Sequence, residues 1–219
     1  MSLIKRPAIL LREAIFPSFC IRCNAYGESI CLPCQQILSR VTPNIYLEKD
    51  SPLSGIIAAH IYQEAPDIAQ AIHLLKYSGQ RVLAQPLSAI LSSAISHALL
   101  RGAITTPLWA IAIPLHPRRY RERGFNQNDE IGNFLPPSIT FIPNILSRKK
   151  YTPSQIMLSK EKRIQNIKDA FECSSQTPQE GTILLLDDVT TTGTTLKEAA
   201  KKIKQQTDIS IWGCVLAQD

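Results

Sequence analysis

Residues 182–196, TILLLDDVTTTGTTL, constrain the fold of this chain more than any other stretch. A short apolar run ends in Asp187 and Asp188, and a hydroxyl-rich turn with one glycine, Gly193, follows. Glycine lets backbone approach a ligand with no Cβ in the way. Thr195 and Glu198 then stand at capping-box spacing, and Leu196, Ala199, Ala200 and Ile203 give the apolar stripe of a helix. The string therefore reads strand, loop, helix. In such a unit the loop amides and the helix N-terminus converge, offering N–H donors and a positive partial charge to a phosphate. Thr190, Thr191, Thr192, Thr194 and Thr195 add hydroxyl donors. Two carboxylates at the carboxyl end of a sheet strand lie where open α/β sheets bind ligands, placed to accept from vicinal ribose hydroxyls. A sugar phosphate fits both halves. Neighbouring side chains on a strand point to opposite faces, so the two aspartates meet one ribose only if the chain turns at Asp188. The lysine of a Walker loop is absent. The plain alternative is a strand-to-helix turn whose threonines only cap.

Three other segments, 55–62, 108–113 and 209–217, are apolar runs of strand length. Between them Ile68, Ile72 and Leu75, and then Val82 to Leu99, recur at helical spacing. Continuous apolar strands alternating with helices predict an α/β domain with a mainly parallel sheet covered on both faces. At 219 residues the chain has room for one main core and a small appendage. The polar stretch 41–55 reads as the connection, giving an N-terminal module over 1–50 and the main domain over 51–219. Residues 3–16 predict a short amphipathic helix. No apolar run approaches the roughly 20 residues of a membrane span. Arg12 and Glu13 interrupt the only signal-like stretch, so a cytoplasmic protein is expected.

The N-terminal module is defined by Cys20, Cys23, Cys31 and Cys34, spaced C-x2-C-x7-C-x2-C. Two such knuckles bring four thiolates onto one ion, the closed tetrahedral arrangement of a structural Zn2+. A redox pair or incidental cysteines are the alternatives, and disulfides are disfavoured without a secretory signal. Cys173 and Cys214 stand alone and read as structural. Of the histidines, His60 and His73 read as core residues, while His97 and His116 belong to no metal-ligand cluster.

LLLDDVTTTGTTL resembles the signature by which type I phosphoribosyltransferases bind phosphoribosyl pyrophosphate (PRPP). Three further features narrow the resemblance to the ComF group of competence-associated proteins, which carry an N-terminal zinc ribbon on a phosphoribosyltransferase-like fold. They are Pro114-Leu-His-Pro117 with Arg118, Arg119, Arg121 and Arg123-Gly-Phe-Asn-Gln127; the spacing of Leu146, Arg148, Thr152, Gln155, Arg163, Asn166, Ala170 and Phe171; and Lys76-Tyr77 beside the four cysteines. The resemblance covers residues 10 to 217. It implies that Asp187 and Asp188 hold the ribose hydroxyls and that Thr190, Thr191, Thr192, Gly193 and Thr194 bind the 5-phosphate. It further implies that Arg123 and Gly124 serve a pyrophosphate loop over 114–127, with Mg2+ accompanying the pyrophosphate. Residues 147–170 take the place of a hood over the site. The expected activity is phosphoribosyl transfer with release of pyrophosphate, in a protein linked to DNA uptake. The acceptor is not identified: purine-salvage members often carry an acid three residues after the acidic pair, where this chain has Thr191.

Charge keeps a second class open. The net charge is +6, and residues 148–168 hold seven Lys or Arg against one acid, Glu161. Arg118, Arg119, Arg121, Lys149 and Lys150 suit the backbone of single-stranded DNA as well as a pyrophosphate, so a non-catalytic DNA-binding competence factor, working with DNA-processing proteins, is the alternative. A solvated basic loop is the plain reading of the same arginines.

Overall fold

The computed structural model describes residues 18–40, 42–150, 167–174 and 176–219. The helix expected over 3–16 and most of the expected hood, including Thr152, Gln155, Arg163 and Asn166, lie outside the described residues. The first element is helix α1 (Leu32–Ser39), followed by β1 (Asn44–Leu47), β2 (Gly55–Ile61), α2 (Pro66–Tyr77), α3 (Ala84–Leu100) and β3 (Leu108–Ala112). Two short helices, α4 (Pro117–Arg123) and α5 (Gln127–Gly132), precede β4 (Ile139–Phe141), β5 (Leu146–Arg148) and β6 (Phe171–Cys173). The chain closes with β7 (Thr182–Thr190), α6 (Thr194–Ile203) and β8 (Ser210–Gln218).

Six strands form one sheet in the order β1-β2-β8-β7-β3-β4, in which only β1 runs antiparallel to its neighbour. The apolar runs are buried on both faces because residues alternate between two cores. On β7, Leu184 and Leu186 pack with α2, α3 and α5, while Ile183 and Leu185 pack with α6. The order in which strands are added reverses between the central pair: β3 leads outward to β4, whereas β7 leads through α6 to β8 on the other side. That divergence leaves a crevice at the strands' carboxyl ends, the general ligand position of such sheets.

Three expectations change. The stretch expected to be a mere connection, 41–55, contains β1, whose Asn44–Leu47 pairs with Ala58–Gly55. The loop 114–127 contains α4, capped by His116, whose Nδ1 accepts from the Arg118 amide at 3.1 Å. Thr195 and Glu198 form no capping box. Helix α6 begins at Thr194 behind Gly193, which sits in the left-handed region at φ 69°, and Glu198 instead accepts from the Asp169 amide at 3.3 Å.

His60 is buried as expected, but His73 is exposed, its ring 4.9 Å from that of Tyr77. Among the described residues one stretch, Arg81–Leu100, is long and apolar enough on average to cross a membrane. Leu87, Ile90, Leu91, Ala94, Ile95 and Ala98 on it are buried in the main core. It is a core helix.

Gly55 opens β2 where the sheet is tightest: a Cβ there would lie 2.4 Å from the Trp212 ring and 2.4 Å from the Tyr46 carbonyl. Gly55→Ala is therefore expected to lower the free energy of unfolding in urea by about 1–3 kcal/mol, the usual cost of overpacking. Unchanged stability would mean that β1 is not held against β2 as described.

Candidate functional site: an acidic pair in a basic crevice

β3 stops pairing with β7 at Leu186, where the Ile113 amide makes the last bond to its carbonyl at 2.9 Å. β7 continues for four more residues on β8 alone, with Thr190 opposite Gln218. Asp187 and Asp188 lie on this overhang, and both line a cavity of about 290 Å³. The strand stays extended through Thr190, so the turn that would bring both aspartates to one ribose is not made at Asp188. Both side chains nonetheless line the cavity, at the part of β7 that β3 no longer covers.

Each aspartate is held by side chains from another element. Asp188, 4% exposed, accepts from Lys76 Nζ at 2.7 Å and from Gln127 Nε2 at 2.6 Å. Asp187 accepts from Asn128 Nδ2 at 3.0 Å and from the Asp188 amide at 3.0 Å. Burial and the neighbouring Asp188 charge push the Asp187 carboxyl up to about 7. Burial disfavours the Lys76 ammonium, yet Asp188 more than compensates and raises its pKa. Breaking a buried ion pair on one side typically costs about 3–5 kcal/mol, so this pair is a strong local constraint.

Three arginines face the carboxylates. On α4, Arg119 and Arg123 are one helical turn apart and both line the cavity, as does Arg148 at the end of β5. Arg123 reaches Gln127 Oε1 and lies 5.5 Å from the centre of the Tyr77 ring. Arg118 and Arg121 point outward and are exposed, and Arg118 pairs with Glu122 at 3.1 Å. The arginine cluster thus divides by helical phase, two residues inward and two outward.

The threonine loop adjoins the cavity, which Val189 and Thr195 line on either side of it. Thr190 Oγ1 accepts from the Gly193 amide at 3.1 Å, and Thr192 and Thr194 hydroxyls meet at 2.7 Å. The first-turn amides of α6 have no intrahelical acceptor and are available to an anion. Gly124 caps α4 in the left-handed region and is exposed, not a lining residue. Lys149 and Lys150 are exposed beside the ribbon of β5 and β6, with Lys149 paired to Glu172 at 2.6 Å.

The acidic pair is a poor cradle for a Mg2+ ion, because Lys76 already stands against Asp188 and only Asp187 Oδ2 has no donor among the described residues. Mg2+ takes near-octahedral oxygen ligands at about 2.0–2.1 Å, whereas both Asp188 oxygens and one Asp187 oxygen already accept hydrogen bonds.

The four cysteine sulfurs fit a metal far better, since all lie within 4.8 Å of one another. Zn–S bonds of about 2.3 Å would place tetrahedral sulfurs about 3.8 Å apart. Cys31 caps α1 and Cys34 lies in its first turn, while the Cys31 amide donates to Cys20 Sγ at 3.5 Å. Burial opposes ionisation of Cys20, but the amides of Cys31, Cys23 and Arg22 outweigh it and bring the thiol down to about 6. Burial and the other three cysteines push Cys34 up to about 12, so the full set of thiolates requires a cation. This module shares its core with the sheet through Cys20, Ile30, Cys34 and Leu38, and Ser93 Oγ on α3 donates to the Ser39 carbonyl at 2.8 Å.

No protein-family model matches the chain. The DNA utilization protein YhgH of Escherichia coli (strain K12) is 30% identical over 189 residues, 84% of this chain and 82% of the relative. YhgH of Shigella flexneri is 29% identical over 202 residues, 89% and 87% of the two chains. Competence protein F of Haemophilus influenzae is 32% identical over 153 residues, 67% of this chain and 66% of its own. The chain belongs to the ComF family.

For this ComF-family protein, sequence reasoning named Asp187, Asp188 and Arg123 at the site and placed Gln127 in the pyrophosphate loop and Arg148 in the hood, but gave Lys76 and Asn128 no role there; all of these residues line the cavity. The available signal was Asn126-Gln127-Asn128, three consecutive amides that are all buried. Asn126 caps α5 by accepting from the Asn128 amide at 3.2 Å, and both asparagines donate to the Ile113 carbonyl, at 3.2 and 3.1 Å. They tie the start of α5 to the chain just beyond β3.

Two outcomes are expected. Protein purified without added metal should contain one Zn2+ per chain by elemental analysis, lost with Cys20→Ser or Cys34→Ser. Freely titratable native thiols would contradict this. Because the Asp187 pKa is raised on folding, its stabilising contribution is present below the unfolded value near 4 and is lost as pH rises through about 7. Urea unfolding of Asp187→Asn should therefore show a stability advantage over wild type that grows with pH across that window. A constant difference would contradict the environment described for Asp187.

Proposed function

We propose that this protein binds a 5-phosphoribosyl ligand of the PRPP class in the crevice and transfers the phosphoribosyl group to an acceptor, in the service of DNA uptake. One observation carries the reading: two adjacent carboxylates line a cavity whose other charged lining residues are Lys76, Arg119, Arg123 and Arg148, beside a threonine loop and a helix N-terminus. The loop suits a terminal phosphate, the arginines a pyrophosphate, and the carboxylates the ribose hydroxyls between them. Asn128 Oδ1 adds a buried acceptor with no donor among the described residues. The relatives' names, DNA utilization protein and Competence protein F, support the link to DNA uptake.

In the transfer, the bond from the anomeric carbon to the pyrophosphate oxygen breaks and the pyrophosphate leaves with the electron pair. The acceptor's lone pair forms the new bond and its proton is released. Arg119, Arg123 and Arg148 would stabilise the leaving charge, and Asp187 and Asp188 the positive charge developing on the ribose. On this reading the Mg2+ that the family resemblance implies belongs to the ligand's pyrophosphate and not to the protein's carboxylates.

Calorimetric titration with PRPP tests the assignment. Asp188→Asn should weaken binding by roughly 10- to 100-fold, the worth of a hydrogen bond to a charged group. Gly193→Val should also weaken it, since a side chain at φ +69° is strained and would shift the loop whose amides face the phosphate. Unchanged affinity in both folded variants would place the ligand elsewhere.

The outward arginines support a second reading, binding of single-stranded DNA on the α4 surface. Replacing Arg118 and Arg121 by Gln should then flatten the log-log salt dependence of DNA binding by about 1.4, at about 0.7 per phosphate neutralised, and leave PRPP affinity unchanged. An unaltered slope would mean that DNA lies on another surface.

A further inference from the structure

The fixed charge on the acidic pair is a lysine from a distant part of the chain. Lys76 is in the last turn of α2, and its side chain and that of Asp188 are 19% and 6% exposed. Its Nζ lies 2.7 Å from Asp188 Oδ1, an oxygen that also accepts from the Val189 amide at 2.6 Å. Gln127 takes the second Asp188 oxygen, and Asn128 takes Asp187 Oδ1. Only one of the four carboxylate oxygens, Asp187 Oδ2, is left without a donor among the described residues. A divalent cation could reach Asp187 Oδ2 without displacing a donor, but to bind both carboxylates it would have to share Asp188 with Gln127 and stand beside a buried ammonium of like charge. Lys76 and Tyr77 also line the cavity, so the ammonium faces any ligand held there.

We infer that Lys76 is the resident cation of this site: it neutralises the acidic pair in place of a protein-held metal ion and donates to the bound phosphoribosyl ligand. An ammonium has three donors, and Asp188 uses one, leaving two for hydroxyl or phosphate oxygens in the cavity. A phosphoribosyl compound lacking pyrophosphate, such as ribose 5-phosphate, therefore binds without a divalent cation. This ligand specificity rests on the function proposed above, whereas the exclusion of metal from the acidic pair does not.

The first arm uses Mn2+ alone, followed by electron paramagnetic resonance, on the full zinc-loaded chain. Wild type and Lys76→Arg should leave the free Mn2+ signal undiminished. Lys76→Met, with folding confirmed by circular dichroism, should take up one Mn2+ per chain, and adding Asp188→Asn should abolish that uptake. One Mn2+ bound by wild type and lost in Asp187→Asn with Asp188→Asn would overturn the inference. So would a folded Lys76→Met that takes up none, because something other than Lys76 would then exclude the ion. The second arm titrates ribose 5-phosphate in buffer freed of divalent ions by chelating resin, and again with Mg2+. Wild-type affinity should agree within about twofold, and a gain of about tenfold or more on adding Mg2+ would overturn the inference. If neither ribose 5-phosphate nor PRPP binds in either buffer, the phosphoribosyl reading fails together with the ligand role of Lys76, and the Mn2+ result alone decides whether Lys76 keeps metal off the pair.

Discussion

Two adjacent carboxylates on a strand whose flanks are buried impose the demand that organises this molecule. β7 is sandwiched between two apolar cores, and only where it outlasts β3 can Asp187 and Asp188 stand with their charge. Even there Asp188 is almost inaccessible, so its charge has to be matched locally. Lys76 from the last turn of α2, with Gln127 and Asn128 from the first turn of α5, supplies that match and joins both helices to β7. Arg81 reinforces it, pairing with Glu130 on α5 and lying 5.0 Å from the centre of the Phe125 ring. The basic wall of the crevice follows, because α5 is joined through Gly124 to the helix that carries Arg119 and Arg123.

The parts of this architecture that the sequence discloses are those with one dominant local cause. The runs at 108–113, 182–186 and 209–217 are apolar without alternation because both faces of those strands are covered, and their reading as strands holds. β1 escaped notice because a four-residue edge strand, NIYL, buries little and has no such signature. α4 escaped for a related reason: PRRYRER has no apolar stripe, and its helical phase shows only in which arginines turn inward. Glu198 was drawn away from its expected capping role by the Asp169 amide, an interaction between residues 29 apart. Lys76 was the hardest to read. Its partner is 112 residues away, and although Lys76-Tyr77 carries part of the family resemblance, nothing in the helix itself distinguishes a snorkelling surface lysine from a buried counter-ion.

The cysteine cluster is the opposite case, legible in sequence and confirmed as a spatial set of four sulfurs. Its packing adds what spacing could not disclose. Cys20 and Cys34 belong to the same continuous core as α2 and α3, and Arg22 pairs with Asp67 in the first turn of α2, the helix that ends in Lys76. The N-terminal module therefore packs against the helix that carries Lys76.

The central claim is that the overhang of β7, the threonine loop and α5 form one binding site for a phosphorylated ribose. The most direct measurement is a backbone and side-chain amide chemical-shift titration of isotope-labelled protein with ribose 5-phosphate. The account predicts saturable shifts concentrated on the amides of Thr191 to Leu196 and on the side-chain amides of Gln127 and Asn128, with the cysteine module little affected. Shifts confined to the outward face of α4 or to the cysteine module, or saturation without any response at Gln127 and Asn128, would contradict it.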